Sequence, residues 1–319
     1  MSALRKGYTT IHYPKDATDQ GNVPAGSLAL LSGETVIKVK LSDGTFIPLT
    51  GVSDITEFGR DIVDLANITE LKVLLGLATA WQPTALTRRV DVDFTSVGIG
   101  AIESVNNTGS ISGVFSQVTT SKQPTGVDFL TYRGASFDGT DYMSGQNGWN
   151  VTTNYAFFIV FSYDSTPPEQ QYLYAGHSIT GRIPHAVGSR STTGNLIGPS
   201  HNISDVLHVG SGIEPNYGAI DFIYCSYDGA NFHTKLNGSV DSLVADTAAP
   251  EPGYNTIGVI GTNGSYTDYL KGKIFRVIGF ATHQSDTDIA KMEGWAAWEF
   301  DRVDMLPSNH TYKNVRPLV

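Results

Sequence analysis

The chain has 319 residues, of which 40% are hydrophobic and 10% aromatic, and a formal net charge of −10. That length exceeds the usual single-domain mode, so one large domain with a smaller one is expected. No run of eighteen apolar residues occurs, and the N-terminal MSALRKGYTTIHYPKD has no apolar core behind its basic residues, which predicts neither a membrane span nor a secretion signal.

The charge is unevenly spread: residues 1–90 hold nine basic and nine acidic side chains, whereas residues 91–319 hold twelve and twenty-two. An acidic domain without a Lys/Arg cluster repels phosphate backbones, so nucleic acid is excluded as an expected partner, while a neutral sugar is not repelled.

Along the chain, residues 20–50 alternate short apolar runs with the turn signals Pro24-Ala25-Gly26, Ser32-Gly33 and Asp43-Gly44, which predicts a small antiparallel meander. Val36, Lys38 and Lys40 share one face and Ile37, Val39 and Leu41 the other. Three strands of this length bury little surface, so residues 1–51 are expected to dock on a partner or on sibling chains.

Residues 52–88 then change to helical spacing, with Ile62, Leu65 and Ala66 followed by Leu71, Leu74 and Leu75. Thr69 suits an N-cap and Gly76 a stop. Such helices are too short to be stable alone, and the segment reads either as a linker packed on its own domain or as a trimerising collar.

From about residue 89 to 319 the pattern is β-rich: DVDFTSVGI, YAFFIVFSYD, QYLYAGHSI, AIDFIYCSYDG, FHTKLNG, NTIGVIG and KGKIFRVIGFAT are short strands between Gly/Asn/Asp turns. Without βαβ alternation this predicts an antiparallel sandwich, with the nearly continuous apolar YAFFIVFSYD as a central strand covered on both faces. The lone cysteine, Cys225, lies in such a strand and reads as an inert core thiol. One helix is expected, opened by Ser285 and Asp288 at capping-box spacing, with Ile289, Met292, Trp295, Ala296 and Phe300 along one stripe and Trp298 about 60° off it.

Little in the sequence supports catalysis. The Asp-Gly pairs in LSDGTF, FDGTDYM and SYDGANF lack the spacing of a calcium loop and read as hairpin turns. Of the eight histidines, none pairs at i, i+4 on a helix, so neither a zinc site nor any cofactor is expected; His201 and His208 could converge on folding. Asp91 and Asp93 alternate as a glycosidase pair would, but lack a third acid. No nucleophile elbow, phosphate loop or dinucleotide fingerprint occurs. Aromatics in the loops are a better lead, because a pyranose face stacks on Tyr or Trp while Asn and Asp take its hydroxyls. Tyr142, Asn147, Trp149, Tyr217, Tyr254, Asn263 and Tyr266 are the candidate carbohydrate-binding residues, with Tyr269, Asn216 and Asn255 nearby in sequence. The same aromatics also suit the packing of a β-rich core.

Four stretches in order, SKQPTGVDFLTYRGASFDGTDYM, YDGANFHTKLNGS, YLKGKIFRVIGFATHQSDTDIAKMEGWAAWEF and LPSNHTYKN, resemble the concanavalin A-like, LamG-type jelly-roll domains of phage and bacterial surface proteins. The resemblance spans about 70% of the chain. It departs from the family's pattern at Thr311, usually proline, and at Glu299-Phe300-Asp301, usually Lys-Trp-Gly. It implies a jelly roll closed by the late helix and the Leu306-Pro307 to Tyr312 tail. It also implies sugar binding or architecture over hydrolysis, since the Glu-x-Asp-x-Glu strand of the glucanase subgroup is missing. The first ninety residues resemble the β-modules and Phe-Gly-x-x-(I/L)-(V/L) segments of tailed-phage fibre and decoration proteins. Together these imply a homotrimeric, surface-exposed virion protein, assembled in the host cytoplasm. Residues 1–51 would anchor it to other phage structural proteins of capsid or tail, and the outer domain would attach to a host-surface glycan. A capsid decoration protein without a ligand and a polysaccharide-degrading glycosidase are the alternatives.

Overall fold

The computed structural model describes residues 80–111, 113–145, 154–165, 170–177, 185–190, 196–203, 206–209, 213–246, 254–262 and 265–318, together with three short strands nearer the N-terminus. Two compact units are present, one comprising residues 1–81 with 314–319, the other residues 82–313. In the first, the strands Leu28–Leu30, Ile37–Lys40 and Phe46–Pro48 pair antiparallel in chain order, with Val39 opposite both Leu28 and Ile47, which is the predicted meander. Also within this unit, Ala80 bridges Leu318, and the Trp81 amide donates to the Pro317 carbonyl at 2.9 Å. The helices expected between residues 52 and 79 lie outside the described residues.

The second unit is an antiparallel sandwich. One layer runs from Ser242–Ala245 through Asn231–Leu236, Asp221–Tyr227 and Tyr155–Tyr163 to Lys271–Phe280. That last strand pairs with Tyr132–Asp138 along its first half and Val90–Asp93 along its second. The other layer passes through Gly113–Ser116, Met143–Gly145, Tyr254–Ile257, Gln171–His177, Ala186–Arg190, Leu196–Ile203 and Val206–Val209.

Strand Tyr155–Tyr163 explains where the core sits. Side chains alternate across a strand, so Tyr155, Phe157, Ile159, Phe161 and Tyr163 enter the space between the layers, against Ile223, Leu173, Tyr174 and Val187. Ala156, Phe158 and Val160 face the other way and are also buried, because the helix covers that side: the Phe158 ring lies 6.4 Å from Trp295 and 6.2 Å from Phe222. Full burial of one such phenylalanine contributes about 1.5–3 kcal/mol, which is why a continuous apolar run selects a central position. Cys225 is fully buried in the same core, and burial pushes its thiol pKa up, as an inert thiol requires.

The helix spans Asp286–Glu299, and Ser285 caps it by accepting from the Asp288 amide at 3.1 Å while its hydroxyl donates to the Asp288 carboxylate at 2.6 Å. The predicted stripe, Ile289, Met292, Trp295, Ala296 and Phe300, is buried. Trp298 sits at the rim and its indole Nε1 donates to the Tyr312 carbonyl at 2.9 Å. The tail is laid back here because Gly294 has no side chain; a Cβ on it would stand 2.5 Å from that of Tyr312. Leu306 is buried, and the Lys313 ammonium gathers the carbonyls of Val303, Asp304 and Leu306 at 2.7–2.9 Å, which ties down the last turn.

Candidate functional site

Two of the candidate aromatics meet. In FDGTDYM, Asp138 accepts from both the amide and the hydroxyl of Thr140 at 2.8 Å, Gly139 takes φ +98°, and the Asp141 carboxylate accepts from the Asp138 amide at 3.1 Å. This tight turn delivers an alternating segment in which Asp141 and Met143 point inward, leaving Tyr142 and Ser144 half-exposed. Burial pushes the Asp141 carboxyl up to about 6, aided by the neighbouring Asp138 and opposed by its hydrogen bond from the Asp138 amide and by the charge of Lys122.

Tyr266 arrives from the strand Ser265–Thr267, which pairs with Ile260–Thr262, and Tyr269 follows just before the fully buried Leu270. The rings of Tyr142 and Tyr266 lie 4.4 Å apart at 32°, and Tyr269 stands 6.1 Å from Tyr142. The Ser144 and Tyr266 hydroxyls are 3.5 Å apart, the outer limit of a hydrogen bond. A short 3-10 turn, Thr120–Lys122, completes the group: its Lys122 carbonyl accepts from the Tyr142 amide at 3.1 Å, and the Lys122 ammonium lies 5.2 Å from the centre of the Tyr269 ring. All three tyrosines and Lys122 remain half-exposed, so the cluster offers phenol edges, hydroxyls and one cation to solvent. Such a surface can stack a sugar face and satisfy its hydroxyls.

The remaining candidates do not join this group. Tyr217 packs, partly buried, against the hydrophobic core. Tyr254 pairs through its backbone with His177, and its side chain lies outside the described residues, as do Asn147, Trp149 and Asn263 entirely. Asn255 is buried, and Asn216 spends its amide on the buried Asp221 carboxylate at 2.9 Å. Lys122 was not legible as a site residue, because nothing in SKQPTG shows that its turn folds against the loop of Tyr142.

The acidic pair behind the glycosidase alternative is engaged elsewhere. Asp91, 1% exposed, receives Arg276 on both oxygens at 2.9 and 3.0 Å and is also paired with Arg88, while Asp93 lies 3.6 Å from the same Arg276. The histidines form one notable cluster. His233 is held between Asp241 at 2.6 Å and Asp228 at 3.0 Å, and its ring stands 4.2 Å from that of His283, whose Nδ1 is 2.7 Å from the Ser226 hydroxyl. Burial disfavours the His233 imidazolium, but the two carboxylates outweigh it and hold the pKa above its ordinary value; burial and that neighbouring charge hold His283 below it. With both of its nitrogens taken, the His233 ring has no free edge for a ligand. His201 and His208 do meet as cross-strand partners. Among the described residues no group of three or more His, Cys, Asp or Glu side chains is arranged to hold a metal ion.

No protein-family model matches the chain, and no curated protein matches it. Solved structures do. Domain 4 of AbnA, a GH43 extracellular arabinanase from Geobacillus stearothermophilus in complex with arabinotriose, aligns with 65% of this chain and 98% of its own at 9% identity and a TM-score of 0.50. The CBM40 of a Ruminococcus gnavus IT-sialidase bound to α2,3-sialyllactose aligns with 49% of this chain and 92% of its own at 12% identity and a TM-score of 0.38. A Trypanosoma rangeli sialidase in complex with sialic acid aligns with 82% of this chain and 43% of its own at 11% identity and a TM-score of 0.45. At these identities the likeness concerns the fold: the chain has the expected mainly-β sandwich of the concanavalin A-like, jelly-roll class.

Proposed function

We propose that the chain is a structural virion protein of a tailed bacteriophage, anchored through residues 1–51, that displays its sandwich as a lectin-like module for host-surface glycan. The observation that carries the binding reading is the convergence of Tyr142, Tyr266 and Tyr269 with Ser144 and Lys122 on one half-exposed surface. The arabinanase domain, whose fold is similar, is in complex with arabinotriose, which supports a sugar as the ligand class. The phage assignment rests on the sequence resemblance.

On a glycan array the full chain should bind reproducibly, and Tyr142→Ala should weaken that binding at least tenfold, as expected for losing one stacked ring and its hydroxyl. The variant should keep its circular-dichroism spectrum, since Tyr142 is outside the core. Silence across the array would favour the decoration reading, which the close mutual packing of Tyr142 and Tyr266 also suits. We also propose that three copies associate through the first ninety residues: light scattering on the full chain should give three times the monomer mass of 34.3 kDa, and a monomer would overturn the trimer.

A further inference from the structure

Lys122 gives the aromatic cluster a charge preference. Among the described residues Lys122, like Lys271 and Lys291, enters no salt bridge, whereas Arg133, Lys235, Lys273 and Arg276 each face a carboxylate: Asp128, Glu293, Asp164 and Asp91. The carboxyl that its charge does reach, Asp141, is buried beneath the cluster rather than paired with it. Its ammonium instead lies over the Tyr269 ring at 5.2 Å, and its backbone is bonded to Tyr142, so charge and platform are fixed to one another. Building on the reading of this cluster as a glycan platform, we infer that it takes an acidic glycan, with the sugar face on the tyrosines and a ring carboxylate on the Lys122 ammonium.

The chemistry fits one charge per recognised unit rather than a dense polyanion. The ammonium supplies a charge-assisted hydrogen bond at short range, where it outweighs the mean field of a chain of net charge −10. At longer range that net charge opposes heavily sulfated polymers and nucleic acid. A uronate or sialate, with one carboxylate beside an apolar ring face, offers the two groups that Lys122 and the tyrosines complement.

The test uses the full chain against hyaluronan, polysialic acid and polygalacturonate, each immobilised beside its carboxyl-reduced form. The wild type should bind at least one native polymer about tenfold more tightly than its reduced form, the difference expected for one hydrogen bond to a charged group. Lys122→Gln should erase that difference, Lys122→Arg should retain most of it, and 0.5 M salt should shrink it for the wild type and Lys122→Arg alike. Equal binding of native and reduced polymers, or a preference that survives Lys122→Gln, overturns the acidic ligand while leaving the platform intact. Retention of none of the six polymers by a protein with a native circular-dichroism spectrum overturns the acidic ligand; the array with Tyr142→Ala then decides separately whether the platform reading stands.

Discussion

Asp91→Ala should cost the sandwich about 3–5 kcal/mol and lower its Tm by roughly 10 °C, because it leaves buried guanidinium groups without their counter-charge. The Asp91 carboxylate is 1% exposed and takes both arms of Arg276, the Thr108 hydroxyl at 3.1 Å and the Arg88 guanidinium. Arg276 lies against the helix, 5.3 Å from the Trp295 ring, and is only 11% exposed, so removing its partner leaves its charge largely desolvated. Asp93→Ala is the internal control. Asp93 is 36% exposed and 3.6 Å from Arg276, and its loss should cost about 1 kcal/mol or less. Urea denaturation of both variants decides the matter. If Asp91→Ala proves no more costly than Asp93→Ala, the pair is not the electrostatic tie described here. Were Asp91 instead one of two hydrolytic acids, its removal would spare stability and abolish release of reducing ends from polysaccharide.

Glu293→Ala should cost about 3 kcal/mol and release the C-terminal tail. Glu293 lies on the helix, 1% exposed, with His310 of the tail 3.1 Å from one oxygen and Lys235 of the sandwich 3.5 Å from the other. His310 in turn accepts the Tyr312 amide at 3.1 Å, and the Tyr312 carbonyl holds Trp298. Removing one carboxylate therefore leaves a partly buried ammonium and a buried imidazole without their counter-charge and loosens a segment whose remaining anchors are Leu306, Lys313 and the Trp298 bond to Tyr312. The expected readouts are a lowered urea midpoint, a red shift in tryptophan emission as Trp298 becomes wet, and new proteolytic cleavage between residues 306 and 313. Unchanged cleavage would mean that the tail is held without Glu293.

Much of this architecture is readable from local pattern. The continuous apolar run of YAFFIVFSYD reports a fully covered strand, since side-chain direction has a fixed period of two and both of its faces are apolar. Ser285 and the stripe from Ile289 to Phe300 give the helix start and its buried face for the same reason, with a period of 3.6. Glu293 was missed because a charged residue at the edge of the stripe, four positions after Ile289, has no evident partner until His310, seventeen residues on, and Lys235, fifty-eight residues earlier, are seen to enclose it.

The candidate site divides along the same line. Loop aromatics in Asp-Gly and Asn-Gly turns were legible as a set, but not which of them meet: Tyr142 and Tyr266 are 124 positions apart in sequence and touch only because the turn that carries the chain from Tyr132–Asp138 to Met143–Gly145 folds against the hairpin of Ile260–Thr262 and Ser265–Thr267. Asp91 and Asp93 looked catalytic in isolation, and only the register of Val90–Asp93 against Lys271–Phe280, which sets Arg276 opposite Asp93 and within reach of Asp91, turned them into an ion pair. Within the sandwich the sequence by itself determined which segments are strands and helix and which of their faces are dry, because those follow from neighbours within a turn or a pleat. The tertiary structure decided which charge meets which, and whether Lys122 stands beside an aromatic platform, because pairings between distant segments depend on register and loop closure, which local periodicity does not encode.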